Sequence, residues 1–371
     1  MKCAAGSALV LVLSTLAACG GKGGPEVSVP PDSTVGLAAF PPMANDNPPG
    51  ASAAARATAT ALGRGVNFGN MLEAPSEGAW GLRVEPEYID AAAAAGFKSV
   101  RLPVRWSNHA SPGRPFDVDP VFMARLESIV DSLLGKGLYV VLNMHHYHLL
   151  DGDPADAGDT AVDSTLVAER FLVMWKQIAE QFKGKSDHLV FELYNEPHGR
   201  QSPAAWNDLA ARALAVVRKS NPQRVVMIGP TNWNSADALG SLRMPNDSNL
   251  IGTIHNYSPF SFTHQGATWV SPVLPVGVSC CDAGQQAELT APLAKARTWS
   301  DATRYPIYLG EFGAFEMGDM ASRVRFTRLM RDGAESRGFS WGYWELASGF
   351  GVYDPAAHAF RSPLRDALLG N

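Results

Sequence analysis

The sequence predicts an α/β protein of the (β/α)₈ TIM barrel class, and three observations predict it. Short apolar runs bounded by turn residues alternate with longer amphipathic segments along most of the chain, the pattern of repeated βα units around a parallel sheet. The chain has 371 residues, which suits a barrel of about 250 to 300 residues with a leader and a linker. Polar residues gather at the C-terminal ends of the apolar runs, where barrels carry their functional groups.

In chain order, Lys2 and the apolar run from Ala8 to Leu13 read as a signal peptide, since the run is too short to span a bilayer. It ends in Leu16-Ala17-Ala18-Cys19, which resembles the lipobox of bacterial lipoproteins. Residues 1–18 are therefore expected to be removed, leaving an exported protein whose membrane contact is a lipid anchor at Cys19. Residues 20–50 are rich in Gly, Pro, Ser, Ala and Asn without apolar periodicity and so lack the means to build a core. An alanine-rich run over 51–62 has the propensity of a short helix at the domain entrance. The expected division is a mostly disordered linker over 19–61 and a barrel over 62–371.

Strands are expected over 65–70, 97–104, 138–145, 189–194, 225–229, 250–255, 307–310 and 339–344, and helices over 85–95, 120–136, 162–182, 203–220, 235–239, 283–301, 320–337 and 362–369. Arg101, His145, His146, Asn195, Glu196, His255, Tyr257, Glu311 and Trp344 then fall at or just past the ends of strands. An open doubly wound sheet is the rival architecture, but neither usual form of Gly-rich phosphate loop is present in the sequence.

Hydrophobic residues make up 46% of the chain and charged residues 18%, enough apolar surface for a sizeable core. The net charge of −5 comes from scattered residues. No Lys/Arg block interleaves with aromatics, which argues against a nucleic-acid partner, and no exposed heptad suggests more than a monomer. Of the four cysteines, Cys3 and Cys19 lie in the leader. The adjacent Cys280 and Cys281 are badly placed for an ordinary disulfide, so a free pair and a strained vicinal disulfide both stay open. Either way they read as a structural feature of their loop, because neighbouring residues do not complete a metal site. The acidic stretch from Asp151 to Asp156 lacks EF-hand spacing and is interrupted by Pro154, so it reads as a solvated loop.

The chemistry rests on two carboxylates. In Phe191-Glu192-Leu193-Tyr194-Asn195-Glu196-Pro197, Pro197 forbids helical continuation and leaves Glu196 at a strand end. In Tyr308-Leu309-Gly310-Glu311-Phe312-Gly313, a second Glu ends an apolar strand between glycines that permit close approach. Two strand-end carboxylates at one mouth meet the need of retaining glycoside hydrolysis: one, with a raised pKa, protonates the departing oxygen while the other attacks the anomeric carbon. The required separation is about 5 Å, too short for an intervening water.

With those motifs the region from about Gly65 to Asp354 resembles glycoside hydrolase family 5, the cellulase and mannanase family. The resemblance implies that Glu196 is the acid/base and Glu311 the nucleophile. It gives Asn195 to the sugar 2-hydroxyl, Arg101 to the nucleophile and His145, with His146 beside it, to the sugar site. His255 and Tyr257 match the strand-6 His-x-Tyr pair, and Trp344 matches the sugar platform. Arg101 would hold Glu311 ionised while Glu196 keeps the higher pKa, and Tyr257 would donate to the nucleophile. Trp269 and Trp233, like Trp80 and Trp106, stand in loops after strands and are candidates for further sugar contacts.

The reading is thus a retaining endo-acting β-glycanase, a β-1,4-endoglucanase in the first instance, with no cofactor and no metal. A β-mannanase or a xyloglucan or mixed-linkage glucanase is the alternative on the same scaffold, and a non-catalytic glycan-binding protein is a further one. Clustered His145, His146 and His148, with His198 and His255, raise a metal-dependent hydrolase as a rival, but one that leaves the Glu pair and Trp344 without a common explanation.

Overall fold

The computed structural model describes residues 36–156 and 158–370. Eight parallel strands close into a barrel in sequence order, β1 pairing with both β2 and β8. They are β1 Arg64–Asn67, β2 Ser99–Leu102, β3 Tyr139–Asn143, β4 Leu189–Glu192, β5 Val226–Ile228, β6 Leu250–His255, β7 Ile307–Glu311 and β8 Ser340–Tyr343. All eight expected strands are present, most of them trimmed at the ends where the chain turns into loops.

Helix α1 (Ala53–Ala61) precedes the barrel. Around it run α2 Pro86–Ala95, α3 Pro120–Gly135, α4 Val167–Gln181, α5 Pro203–Ser220, α6 Ala283–Thr303, α7 Met320–Glu335 and α8 Ser362–Leu369. Proline in the first turn starts α2, α3, α5 and α8, where its missing N–H is not needed and its φ is already helical. Asp282 and Gln285 form a capping box on α6. The helix expected over 235–239 is instead a 3-10 turn, Ala236–Ser241, so the β5–β6 crossover has no full α-helix. Cys280 and Cys281 are bonded to each other in the loop before α6.

Strand periodicity sorts the side chains. Val140, Leu142, Leu189, Phe191, Leu250 and Ile254 face the helices and join the main core, whereas Val141, Val190, Met227, Ile251 and Tyr308 belong to a second cluster with Ala55, Ala59 and Leu62. That second cluster corrects the expected domain start at residue 62. The lower end of the barrel presents apolar side chains that need cover, and α1 supplies it with alanines small enough to pack closely. Residues just before α1 are also tied down: the Met43 N–H donates to the Ala211 carbonyl, and Arg212 donates to the carbonyls of Leu37 and Phe40. The leader, the lipobox and Cys19 lie outside the described residues, and no described helix is long and apolar enough to cross a membrane.

Two carboxyls are buried where the loops after β1 and β8 meet. Glu73 accepts the backbone N–H groups of Asn70 and Met71, and Glu345 accepts those of Ala347, Ser348 and Phe350. Burial pushes Glu73 up to about 8 and Glu345 up to about 7. An acid whose folded pKa exceeds its unfolded one stabilises the fold fully below the unfolded value, near 4.5, and loses that contribution as pH rises through the folded value. The melting temperature should therefore fall between pH 5 and 8, and Glu73→Gln should flatten this fall. A variant whose melting curve keeps the full pH dependence would exclude Glu73 as its source.

Candidate active site

Arg101 sits at the centre of the barrel mouth, fully buried. Its Nε and Nη2 donate to the two oxygens of Glu192 at 2.6 and 2.9 Å, and Nη2 also donates to Asn195 Oδ1 at 2.7 Å. Nη1 donates to Glu311 Oε1 at 2.6 Å and Asn67 Oδ1 at 2.9 Å. All five N–H groups of a guanidinium are thereby used. Burial alone would disfavour its charge, but Glu192 and Glu311 outweigh that and hold it protonated.

Glu311 reaches this arginine because of an irregularity in the sheet. Tyr308 points into the barrel and Leu309 outward, so strict alternation would turn Glu311 out. Between β6 and β7 the register shifts, and His255 pairs with Glu311 instead of Gly310. Glycine is required at the skipped position, since a Cβ on Gly310 would lie 2.9 Å from both His255 Nε2 and Thr253 Oγ1.

Glu196 stands opposite, in a left-handed conformation with φ 51°. Oxygens of Glu196 and Glu311 and a ring nitrogen of His255 all lie within 4.8 Å of one another. His255 Nδ1 is 2.6 Å from Glu196 Oε1, and the Tyr257 hydroxyl donates to Glu311 Oε2 at 2.8 Å. Desolvation pushes Glu196 up to about 7, against the pull of Arg101 and His198. Burial also raises Glu311, opposed by His255, Arg101 and the Tyr257 hydrogen bond. Burial takes His255 down to about 4, so its ring is neutral near pH 7.

The remaining sequence-predicted residues divide. Asn195 and His145 are buried at the mouth, and the His145 ring lies parallel to Trp344 with centroids 5.6 Å apart. His146 touches His145 on one side and the edge of Trp80 on the other. Trp80, Trp233 and Trp269 are exposed. Trp269 packs by its edge on Phe315, in the loop after β7, while Trp233 stacks on His198 with centroids 4.7 Å apart. Trp106 is fully buried and donates its indole N–H to the Asn143 carbonyl, so it is core and is not brought to the cleft. The acidic stretch is not wholly solvated either. Asp151 is buried, accepts the Tyr194 hydroxyl and is pushed up to about 7 by burial, while Asp153 meets His198 and Asp156 pairs with Arg105.

Sequence reasoning missed Glu192, Asn67 and Asn234, and it named His198 only as a ligand in the rival metal site. Glu192 shares its strand face with Val190, so a carboxylate two residues beyond an inward valine was the available signal. His198 Nδ1 donates to the Glu196 main-chain carbonyl at 2.6 Å and Nε2 donates to Asp153 at 2.9 Å. Burial opposes charge on this ring, but those acceptors and Asp151 raise its pKa above the ordinary value. The geometry thus offers a buried carboxyl, Glu311, a partly exposed one, Glu196, a neutral histidine between them and aromatic surfaces on either side.

The family model for Cellulase (glycosyl hydrolase family 5) matches residues 60–349. Endoglucanase H of Acetivibrio thermocellus is 35% identical over 318 residues, which cover 83% of this chain and 33% of that protein. The chain thus spans about a third of that curated relative's length. Among solved structures, a hyperthermophilic endo-β-1,4-glucanase in complex with substrate is similar at 39% identity and a TM-score of 0.81, covering 85% of this chain and 99% of that one. Cel5A of Thermotoga maritima, solved with mannotriose and also with cellobiose, is similar at 39% identity and a TM-score of 0.79, covering 84% of this chain and 99% of that one.

Proposed function

The chain belongs to glycosyl hydrolase family 5, the cellulase family, and from that premise we propose that it is a retaining endo-β-1,4-glucanase with Glu311 as nucleophile and Glu196 as acid/base. The observation that carries the reading is the approach of the two carboxyls to within 4.8 Å, in the range for direct attack and below the roughly 6.5 Å that an interposed water needs.

In the first step a Glu311 oxygen bonds to the anomeric carbon as the bond to the leaving oxygen breaks, and the Glu196 proton passes to that oxygen. In the second, Glu196 takes a proton from water, whose oxygen displaces Glu311 with a second inversion. Arg101 and Tyr257 spread the nucleophile's charge and make it a competent leaving group in turn. Asn195 has its amide oxygen on Arg101, which leaves its NH₂ to meet the sugar 2-hydroxyl. Trp344, backed by His145, offers a flat face to the sugar being attacked. Trp233 lies on the Glu196 side through His198, which suits it to the leaving-group sugars, and Trp269 to chain farther along the cleft.

The endo-β-1,4-glucanase names of the similar structures support the glucan assignment, and the mannotriose complex of Thermotoga maritima Cel5A keeps mannan as the second reading. Purified protein assayed on carboxymethylcellulose, mixed-linkage glucan, xyloglucan, mannan and xylan, with product lengths followed in time, tests both. Early mid-length products from β-1,4-glucans are expected. Faster release from mannan would replace the substrate assignment, and binding without new reducing ends on every polymer would replace the enzyme reading.

The raised Glu196 pKa fixes a pH profile. The proton needed by the leaving group is lost above about 7, so kcat/KM on unactivated oligosaccharides should fall there by one power of ten per pH unit. An activated aryl glycoside should show a flat kcat/KM over the same range.

The export reading is likewise proposed, supported by the apolar run before Leu16-Ala17-Ala18-Cys19. Cys19→Ala should move the protein from the membrane to the soluble fraction of the producing cell, and unchanged membrane recovery would remove the anchor.

A further inference from the structure

Glu196 can serve as a general acid only if its proton is carried on the oxygen that meets the substrate. Its Oε1 is turned to His255 Nδ1 at 2.6 Å, which leaves Oε2 to face the glycosidic oxygen. If His255 carries its hydrogen on Nδ1, the ring donates to Oε1 and the carboxyl proton stays on Oε2. In the other tautomer Glu196 would donate from Oε1 into the ring, away from the sugar. A neutral imidazole does not decide this by itself, because the partner of its second nitrogen selects the tautomer.

That partner is Asn234, whose Nδ2 lies 3.3 Å from His255 Nε2. An amide NH₂ facing Nε2 makes that nitrogen the acceptor and places the hydrogen on Nδ1. We propose that Asn234 is a positioning residue that fixes His255 in the Nδ1–H form and thereby keeps the Glu196 proton on the oxygen facing the scissile bond. The inference rests on the glycosidase reading of Glu196.

The local backbone is built around this amide. Asn232, Trp233 and Asn234 are consecutively left-handed, with φ of 58°, 56° and 54°, a conformation costly for residues other than glycine. Asn234 is fully buried. A Cβ on Gly229 would stand 2.1 Å from its Oδ1, so the pocket exists only with glycine there. Among the described residues Oδ1 has no hydrogen-bond partner. A buried polar atom left unpaired carries a penalty, which the site accepts while presenting the NH₂ to the ring. Ser235 forms a parallel bridge with His255, locking the turn to β6.

Asn234→Asp reverses the demand, because a carboxylate there needs a hydrogen on Nε2. The ring, now between two carboxyls, takes its second proton from Glu196 onto Nδ1, and the acid loses what it should deliver. The other groups facing this pair, Arg101, Glu192, His198, Glu311, Tyr257 and His145, are unchanged in the variant. Activity on unactivated cello-oligosaccharides should fall about a hundredfold, within the usual range for losing a general acid. The basic limb of kcat/KM should move to lower pH, and kcat/KM on an activated aryl glycoside should stay within about threefold. Equal losses on both substrates with an unmoved pH limb would reduce Asn234 to a structural role and overturn the proposal.

Nitrogen-15 NMR of the histidine-labelled full chain, with His255 assigned by its loss in His255→Gln, reads the tautomer without any substrate and without any change at Asn234. An unprotonated Nε2 and a protonated Nδ1 are expected at pH 6. A protonated Nε2 overturns the proposal even if the enzyme is active, whereas an inactive protein with the expected tautomer would fault the glycosidase reading instead.

Discussion

Glu311→Ala will abolish hydrolysis of every substrate, on the order of a million-fold in kcat, the scale of losing the attacking group in a double-displacement enzyme. Glu196→Ala will instead divide substrates by leaving group. On unactivated oligosaccharides it should cost about a hundred- to ten-thousandfold, the range for general-acid assistance. On an activated aryl glycoside bond breaking needs no proton, so kcat/KM survives. The second step still needs a base for water, so kcat and KM should fall together as the glycosyl-Glu311 intermediate accumulates. Azide, which attacks without being deprotonated, should restore turnover of that substrate in Glu196→Ala and leave Glu311→Ala inactive. Equal losses on both substrate types in Glu196→Ala would contradict the division of roles.

Those two carboxyls were legible because chemistry left them where packing alone would place apolar residues, at the ends of otherwise apolar strands. The strands were legible for a related reason, since runs buried on both faces are long in Val, Ile and Leu and break at turns. Features that depend on which residues meet in space were not. Glu311 faces inward through a register shift at Gly310, and strand alternation gives no sign of it. α1 was legible as a short helix at the domain entrance but was counted with the linker, because alanine carries little hydrophobic signal, although small side chains are what the lower end of the barrel admits. Asp151 looked solvated in an acidic stretch until the fold brought Tyr194 against it. Trp106 and Trp233 are the same residue type in the same kind of loop, yet one is fully buried and the other 53% exposed. Only the packing of α3 beneath Trp106, through Phe122, separates them.

The second large effect is expected at Arg101, and its parts can be separated. Arg101→Leu should destabilise the fold by about 3 to 5 kcal/mol, the usual consequence of stranding a buried charge, and should also remove most activity. The stability loss comes mainly from Glu192, which is completely buried and takes both its oxygens' hydrogen bonds from this one guanidinium. The activity loss comes from Glu311 and Asn195, which lose the donors that fix their orientation. Adding Glu192→Gln to Arg101→Leu removes the stranded charge, so calorimetry should show part of the stability returning while hydrolysis stays low. Arg101→Lys should be a poor replacement, because an ammonium cannot span Glu192, Asn195, Glu311 and Asn67 as the planar fork does. Recovery of activity in step with stability in the double variant would mean that Arg101 acts on catalysis only through the fold. Recovery of stability alone would place its catalytic contribution in the grip on Glu311.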